Sequence, residues 1–545
     1  MPLINQSYPN LVQGVSQQPP VNRFTGQAER QVNAMSSVVD GLSKRPHTNF
    51  VANLSTTLDN DALVHFFDRS DNEKYVITID DNYLKVFNVD GTPCSIDGST
   101  SGKFIGSNQY FNTTGRVPRE DYKALTVGDT TFLVNKKKTV TAFSSTTPAL
   151  EQTAVVTITQ GDYKKRYKLE ATVTLSDGTT ATCKAFFRSG GSNDNKNYNA
   201  NSEEIARGLK VELDRTTAEP SNWNGDYSTL NASGAASSTN DNASTGDWTT
   251  YFSIQQPSQG NNIYLELING VDFTIKTEDS LSNTGMSVAY KEVDSIVDLP
   301  QTNKHGFKIK IRGSAEANED DYYVEFESHT GEQYSQGTYK ETVAPNVSRG
   351  LTDNSMPHKL VCTAENTFTL SAGDYTERAS GDDDTNPHPS FKDKVLTNIF
   401  FFKNRLGFLC EDKIIMSEAG EPFNFYRNTV TTVLDSDPID VQVSSQKVTN
   451  LKSAVGFQEN LIVFSENSQF VLKGGDLLTP KTVSVTPVTN FDASAKVNPI
   501  PLGAYLYFPV EGTNFTSIRE YTVNASTDVY DSTDITEHVP AYIPS

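Results

Sequence analysis

Short apolar runs separated by polar turns recur at both ends of the chain. The run at 75–79 (YVITI) is followed by a polar turn and by a second run at 84–87 (LKVF). Similar pairs of runs begin at positions 125, 406, 461 and 505. Apolar β-branched and aromatic runs bounded by Asp, Asn or Gly are typical of β-hairpins. The pattern therefore predicts a β framework at both ends of the chain.

The spacing of these hairpins indicates a repeated unit. The starts at 75 and 125 are 50 residues apart, those at 406 and 461 are 55 apart, and those at 461 and 505 are 44 apart. Four-stranded propeller blades repeat at roughly 40–50 residues. We therefore expect a propeller-like β domain built from hairpin blades. An ordinary β-sandwich, which also contains many hairpins, is the alternative.

The middle of the chain has a different pattern. Asn201 is an expected helix N-cap with Glu204 three residues later, and Ile205, Leu209 and Leu213 mark one apolar helix face. Strand-like runs lie on both sides of this helix. The sequence therefore predicts an α+β module inserted into a β framework.

These patterns predict four regions. They are an extended N-terminal segment at 1–50, the first part of the β domain at 51–150, the inserted α+β module at 151–385 and the second part of the β domain at 386–545. Within the module, residues 216–250 are rich in Ser, Asn, Gly and Ala, a composition that predicts a long exposed loop.

The net charge narrows the possible partners. The 545 residues contain 46 Lys and Arg against 67 Asp and Glu, which gives a net charge of −21. Phosphate contacts need basic side chains, so a surface this acidic disfavours non-specific nucleic-acid binding and would repel DNA. No apolar run approaches the roughly 18 residues of a membrane span. The N-terminus also lacks a signal-peptide pattern. We therefore expect neither a membrane span nor a signal peptide.

Candidate chemistry is sparse. The sequence has no P-loop, no GxGxxG after a strand, no GxSxG and no HExxH. Its four cysteines and seven histidines lack metal-ligand spacing, so we expect reduced, buried thiols. Glu418 with Glu421, or Asp435 with Asp437 and Asp440, could supply a general acid and base, but surface carboxylates are plentiful in this chain. We therefore expect no cofactor, no metal and no enzymatic activity.

Ordered motifs run through the chain from one end to the other. They are GVSQQP at 14–19, GLSKRP at 41–46, DTNP at 384–387, FFFKNRLGFL at 400–409, FNFY at 423–426, DPIDV at 437–441 and HVPAYIP at 538–544. In this order they resemble the nozzle proteins, or tail tubular proteins B, of short-tailed bacteriophages (podoviruses). Members of that family extend beyond the last motif, so the family's C-terminal region is expected to be absent here.

The resemblance implies a structural virion protein with a mainly β fold, in which a propeller-like β domain carries an inserted α+β platform domain. It implies a homohexameric nozzle in the virion tail, assembled in the host cytoplasm. The implied partners are an adaptor ring (tail tubular protein A), tail fibres and, at the distal end, the host outer envelope. Phage DNA and internal ejection proteins would pass through the bore without specific binding.

Acidic loops are candidates for lining or closing such a bore, since six copies of one loop converge at a constriction. The candidate lumen or gate residues are Glu316, Glu319, Asp320, Asp321, Asp382, Asp383 and Asp384. Prolines exclude a regular helix at Gln17, Gln18, Pro19 and Pro20, which are candidate contacts to the adaptor or a neighbouring subunit. The alternative function is a tail-associated glycan-binding or glycan-degrading β-propeller protein.

Overall fold

The fold is mainly β, as the sequence predicts. The computed structural model describes residues 10–54, 61–80, 82–112, 115, 117–189, 200–214, 246–257, 260–313, 321–444, 448–475, 477–524 and 529–545. Most of the predicted low-complexity loop, residues 216–245, lies outside these described residues.

The N-terminal part of the chain begins with an isolated two-stranded hairpin and continues into the β framework. Its elements are β1 (Ala34–Ser37), β2 (Gly41–Lys44), β3 (Leu63–Asp68), β4 (Lys74–Ile79), β5 (Tyr83–Asn88), β6 (Ser95–Ile96), β7 (Lys103–Phe104), α1 (Pro118–Asp121), β8 (Tyr122–Val127) and β9 (Thr130–Asn135).

The inserted module follows, with three sheets, two α-helices and one 3-10 helix in its described part. Its elements are β10 (Thr153–Ile158), β11 (Arg166–Thr174), β12 (Thr180–Arg188), α2 (Ser202–Leu213), α3 (Trp248–Tyr251), β13 (Phe252–Gln255), β14 (Asn262–Leu267), β15 (Asp272–Asp279), β16 (Met286–Ala289), β17 (Glu292–Val293), the 3-10 helix η1 (Ile296–Asp298), β18 (Thr302–Lys304), β19 (Lys308–Ile311), β20 (Tyr322–Ser328) and β21 (Tyr334–Thr342).

The chain then returns to the β framework. The remaining elements are the 3-10 helix η2 (Asp353–Ser355), β22 (His358–Ala364), β23 (Thr367–Ala372), β24 (Asn398–Phe402), β25 (Arg405–Cys410), β26 (Lys413–Met416), β27 (Ile439–Gln442), β28 (Leu451–Phe457), β29 (Asn460–Ser465), β30 (Gln469–Lys473), β31 (Ser484–Thr489), β32 (Ile500–Leu502), β33 (Tyr505–Glu511), β34 (Thr516–Asn524) and β35 (Val529–Asp534).

Five sheets of four or five strands build the described framework. Sheet 1 has the order β3-β4-β5-β7, and sheet 2 has the order β6-β23-β22-β9-β8. Sheets 3, 4 and 5 are β24 to β27, β28 to β31 and β32 to β35, each in chain order. The strands β3, β8, β24, β28 and β32, one from each sheet, lie next to one another in that order. Consecutive sheets are therefore neighbours in space.

The predicted hairpins are confirmed as β4–β5, β8–β9, β25–β26, β29–β30 and β33–β34. Ile77 lies opposite Val86 in the first of them, and Leu409 lies opposite Ile414 in the third. Gly128 in the β8–β9 turn has a φ of +58°, a value that glycine adopts without steric cost. Short polar turns and alternating side chains therefore set the register of these pairs locally.

Apolar cores fill the spaces between consecutive sheets. The four clusters contain, among others, Ile77 with Phe368, Phe132 with Phe408, Leu409 with Phe470, and Phe464 with Phe508. Burying one such side chain contributes about 1.5–3 kcal/mol. The middle sheets are therefore held by apolar packing on both of their faces.

The predicted helix is confirmed as α2, which packs on the sheets of the inserted module. Asn201 caps it, since its side chain accepts from the Glu204 N–H at 2.8 Å. Ile205, Leu209 and Leu213 are buried in the module core. This core also contains Trp248 from α3, because the end of the low-complexity stretch folds back onto the sheets.

Two neighbouring segments join the module to the framework. The Thr147 N–H donates to the Val347 carbonyl at 2.9 Å, and the Phe143 N–H donates to the Gly350 carbonyl at 2.9 Å. After this connection, β22 pairs with β9, so residues 358–372 belong to sheet 2. Strand pairing therefore returns the chain to the framework sheets at β22.

We predict that Gly407→Ala destabilises the framework. Gly407 lies opposite Phe400, and a Cβ at this position would be 2.1 Å from the Phe400 ring. Relieving that overlap must displace a buried aromatic ring, at a cost of about 1–3 kcal/mol. The measurement is the calorimetric unfolding midpoint. Gly456→Ala is the control, because its nearest neighbour, the Phe402 ring, is 3.5 Å away. Equal midpoints for the two variants would contradict the packing argument.

Candidate functional site

The acidic stretch that follows Gly381 forms a tight turn. Gly381 has a φ of +79°. Asp382 Oδ1 accepts hydrogen bonds from the backbone N–H groups of Asp384 at 3.0 Å and Thr385 at 2.9 Å. This carboxylate therefore stabilises the turn itself, while the side chains of Asp383 and Asp384 are exposed.

A buried arginine anchors this turn to the framework. Arg378 Nη1 donates to Asp383 Oδ1 at 2.9 Å, and the Arg378 side chain is fully buried. The guanidinium lies over the Tyr426 ring, 5.5 Å from its centroid. The Tyr426 hydroxyl lies 2.7 Å from His388 Nδ1. Burial, and then the charge of Arg378, lower the pKa of His388 to about 4, so this histidine is neutral at pH 7.

The other predicted acidic stretch is described only at its end. Glu316, Glu319 and Asp320 lie outside the described residues. Asp321 is buried, and its carboxylate forms an ion pair with Lys310 Nζ at 2.5 Å. The hydrogen bond to Asp321 raises the pKa of Lys310. The charge of Asp321 is therefore balanced within the chain.

Two of the carboxylates considered as a general acid and base, Glu418 and Asp437, serve structural roles. Glu418 accepts from the side-chain amides of Asn424 at 2.7 Å and Asn428 at 2.9 Å. Asp437 is buried, and its Oδ2 accepts from the Leu434 N–H at 2.9 Å. Both carboxylates therefore hold loops of sheet 3 in place.

One cavity in the described part of the chain has two carboxylates in its lining. Its volume is about 670 Å³, and it is lined in part by Glu411 and Asp412. Glu411 forms an ion pair with Lys394, and Asp412 accepts from Gln442 Nε2 at 2.6 Å. Both carboxylates are engaged by their own chain, which weighs against a glycan-degrading site here.

Sequence reasoning missed the structural role of Arg405, which lies in the FFFKNRLGFL motif. Its side chain is buried, and burial lowers its pKa while the nearby carboxylates of Glu418 and Asp437 oppose that shift. The sequence signal that could have identified this role is Arg405 itself, a single charged residue in an otherwise apolar strand. The guanidinium donates to the carbonyl oxygens of Ser417, Asp435, Ser436, Asp437 and Leu478.

The N-terminal candidate residues contact the far end of the same chain. The Gln17 N–H donates to the His538 carbonyl at 2.8 Å, and Gln17 Oε1 accepts from the Ala541 N–H at 2.8 Å. Gln18 Nε2 lies 2.9 Å from His538 Nδ1. The two prolines that follow begin an exposed turn, in which the Pro19 carbonyl accepts from a backbone N–H three residues later. The GVSQQP and HVPAYIP motifs thus form one contact.

Metal and thiol chemistry have little support in the described residues. No group of three or more His, Cys, Asp or Glu side chains there is arranged to hold a metal ion. Nor does that part of the chain contain a helix long and apolar enough to cross a membrane. All four cysteines are buried thiols, as expected. Burial raises the pKa of Cys94, Cys183 and Cys410 to about 11, so these thiols are unreactive at neutral pH.

Comparison with known proteins decides the family. The profile of the bacteriophage nozzle proteins matches residues 1–545. The chain belongs to this family. Tail tubular protein gp12 of Escherichia phage T7 is 31% identical over 556 residues, a match that covers 100% of this chain and 63% of gp12. The chain thus spans about 63% of the length of that relative.

Family membership confirms the resemblance found in the motifs. Bacteriophage nozzle proteins are structural components of the virion tail and not enzymes. This nozzle protein is therefore a tail component, and the glycan-degrading alternative is not favoured. The motif residues, among them Asp384, Arg405 and Gln17, take part in turns, anchors and chain-end contacts.

We predict that Arg405→Ala causes a large loss of stability. Five carbonyl groups lose their donor, and an unsatisfied buried polar group costs about 1–3 kcal/mol. Allowing for partial relaxation, the free energy of unfolding should fall by at least about 3 kcal/mol. Denaturant unfolding measures this change. The exposed Arg207→Ala variant in α2 is the control, and a similar small effect in both variants would refute the anchoring role.

We predict that His388 makes the protein less stable in mild acid. Between the ordinary pKa of 6.5 and the lowered value of about 4, the unfolded chain binds a proton that the folded chain does not. Stability is therefore lost as the pH falls through this window. The unfolding midpoint of His388→Gln should fall less over the same window. His329→Gln, at an exposed position, should behave like the wild type. Parallel curves for all three proteins would count against this assignment.

Proposed function

We propose that this nozzle protein is one subunit of a homohexameric tail tube through which the phage genome and internal ejection proteins enter the host. The observation that carries the proposal is the match of the nozzle family over all 545 residues. The name of the T7 relative, tail tubular protein, supports a tube as the assembled form.

The framework suits a rigid conduit. Its five described sheets follow one another around a set of adjacent strands, with an apolar core at each of the four interfaces between them. This order supports a propeller-like arrangement of sheet blades, in which the inserted module is the platform domain. Close-packed interiors transmit force with little deformation, as a tube under DNA pressure requires.

The charge of the chain suits passage of DNA without binding. Six copies of a chain at −21 carry −126. At physiological salt the Debye length is about 8 Å, so carboxylates on a narrow bore repel phosphate at short range only. Among the described candidates, Asp384 is exposed and can face a lumen, whereas Asp321 is paired with Lys310 and Asp383, although exposed, is paired with Arg378. We therefore propose the turn after Gly381 as the better candidate for the bore, with Glu316, Glu319 and Asp320 as further candidates.

The partners follow from the same proposal. An adaptor ring would bind the nozzle on the head side, with tail fibres around that junction and the host outer envelope at the distal end. The exposed turn at Pro19 and Pro20 is the candidate contact to the adaptor or to a neighbouring subunit. Its position beside His538 gives it a fixed anchor on the chain that presents it.

We predict a six-fold ring for the assembled protein. Native mass spectrometry of purified tails or of the isolated protein should show a species of six chain masses. Electron cryomicroscopy of that ring should show a bore lined by acidic and hydroxyl side chains, because basic side chains would hold the phosphates.

Two results would contradict this function. One is a monomer at every protein concentration tested together with turnover of host polysaccharide. The other is a ring whose inner wall carries lysines and arginines throughout. Either result would leave the family assignment intact but remove the passive conduit.

A further inference from the structure

Apolar packing stops at the junction between the inserted module and the framework. No sheet in the described part of the chain contains strands from both. The two apolar clusters of the module contain only residues between 154 and 339. The four clusters of the framework contain only residues up to 140 or from 351 onward. Two parts of a chain that share no large apolar interface are expected to move relative to one another.

The chain crosses this junction in two linking segments, residues 143–148 and 342–350, which are joined by backbone hydrogen bonds. The Thr147 hydroxyl also donates to the Ala344 carbonyl at 2.6 Å. Both segments lie at the ends of strands or in loops. A hinge consists of a few residues of this kind, which absorb the rotation of one packed body against another. The linking segments therefore have the form of a hinge.

A polar cavity of about 460 Å³ lies beside the linking segments and is lined by both parts. Lys308 and Glu325 line it from the module and form an ion pair at 3.2 Å. Arg349 and Glu377 line it from the other side and form an ion pair at 3.4 Å. Each of these ion pairs lies on one side of the cavity. The cavity therefore leaves space for a change in the angle between the two parts.

One carboxylate of the module reaches across to the framework. Glu341 lies near the end of β21, and its Oε1 accepts from the hydroxyl groups of Thr429 at 2.6 Å and Thr431 at 3.1 Å. Its Oε2 accepts from the Val430 N–H at 3.0 Å. Hydrogen bonds to an ionised acceptor are roughly twice as strong as neutral ones. Glu341 is therefore a strong contact between two parts that share no apolar core.

The loop that Glu341 contacts is held by the framework. The Arg427 N–H donates to Asn386 Oδ1 at 3.1 Å. Arg427 Nη2 donates to the Thr432 carbonyl at 3.1 Å, which closes the loop around residues 429–431. Glu341 therefore joins the module to a loop that other contacts already fix.

Backbone pairing also couples the module to the acidic turn. The Ala344 N–H donates to the Gly381 carbonyl at 2.9 Å, and the Gly381 N–H donates to the Thr342 carbonyl at 3.2 Å. These bonds join the end of β21 to the turn that contains residues 382–384. A rotation of the module about the linking segments therefore displaces this turn.

We propose that the inserted module turns on the framework as one body about the linking segments, and that Glu341 is the latch that holds its orientation. The latch is a single carboxylate, so one side chain decides between a held and a released module. Its consequence for the bore rests on the proposed function, because the displaced acidic turn changes a channel only if the protein forms one. The latch itself does not depend on the tube.

Distance measurements within one chain test the latch. Nitroxide labels are attached to Val89→Cys in the framework and Val297→Cys in the module, both exposed positions, and labelled chains are diluted in excess unlabelled protein. The four native thiols are buried and should not react. Pulsed electron paramagnetic resonance should give one narrow distance distribution. Adding Glu341→Ala should broaden or shift this distribution, because the released module samples further orientations.

Hydrogen exchange shows whether the latch has opened. In Glu341→Ala the Val430 N–H loses its acceptor and should exchange about tenfold faster or more, since a hydrogen bond to a charged group changes an equilibrium by about that factor. A second variant, Thr429→Val with Thr431→Val, removes two of the three donors from the framework side and keeps the carboxylate. It should change the distance distribution in the same direction.

Glu327→Ala is the matched control, because it breaks an ion pair with Lys340 that lies within the module. It should leave the distance distribution unchanged. An unchanged distribution in Glu341→Ala would show a rigid joint and overturn the latch, and so would unchanged exchange at Val430 or an equal change in the control.

Native mass spectrometry of the same samples separates the latch from the tube. A monomer whose module is released by Glu341→Ala would contradict the tube and support the latch. A six-chain ring with an unchanged distance distribution would support the tube and overturn the latch.

Discussion

The framework depends on one constraint, which is that its middle sheets are apolar on both faces. In β25 every residue is buried. Leu406, Phe408 and Cys410 pack toward sheet 2, while Leu409 packs toward sheet 4. A sheet of this kind has no face for water, so it is stable only between two other sheets. Serial packing of sheets follows from this pattern.

Buried charges are the second feature on which the arrangement depends. Arg405 and Arg378 lie inside the framework, where an unpaired charge would be strongly unfavourable. Arg405 donates to several carbonyl groups of loops that belong to sheets 3 and 4. Arg378 holds the acidic turn through Asp383. Each arginine therefore fixes irregular backbone that apolar packing alone would leave undetermined.

The proposed conduit uses these features without any chemical step. Rigid sheets define its shape, and acidic residues weaken its grip on DNA. Function of this kind is spread over surfaces and does not converge on a pocket, which agrees with the scarcity of catalytic motifs in the sequence. Two carboxylates considered for an active site, Glu418 and Asp437, instead satisfy amide and backbone donors.

The sequence by itself determined the elements whose causes are local. The hairpins, the Asn201-capped helix and the buried thiols follow from neighbouring residues, and the ordered motifs identified the family. Tertiary structure decided the contacts between distant segments. Examples are the return of β22 to β9, the ion pair that neutralises Asp321, and the bond from Gln17 to His538. The alternation of apolar and polar residues, together with the turn residues, specifies where a strand begins and which face it buries. Many other strands, however, are equivalent pairing partners for it. The choice among them is made only when the whole chain packs.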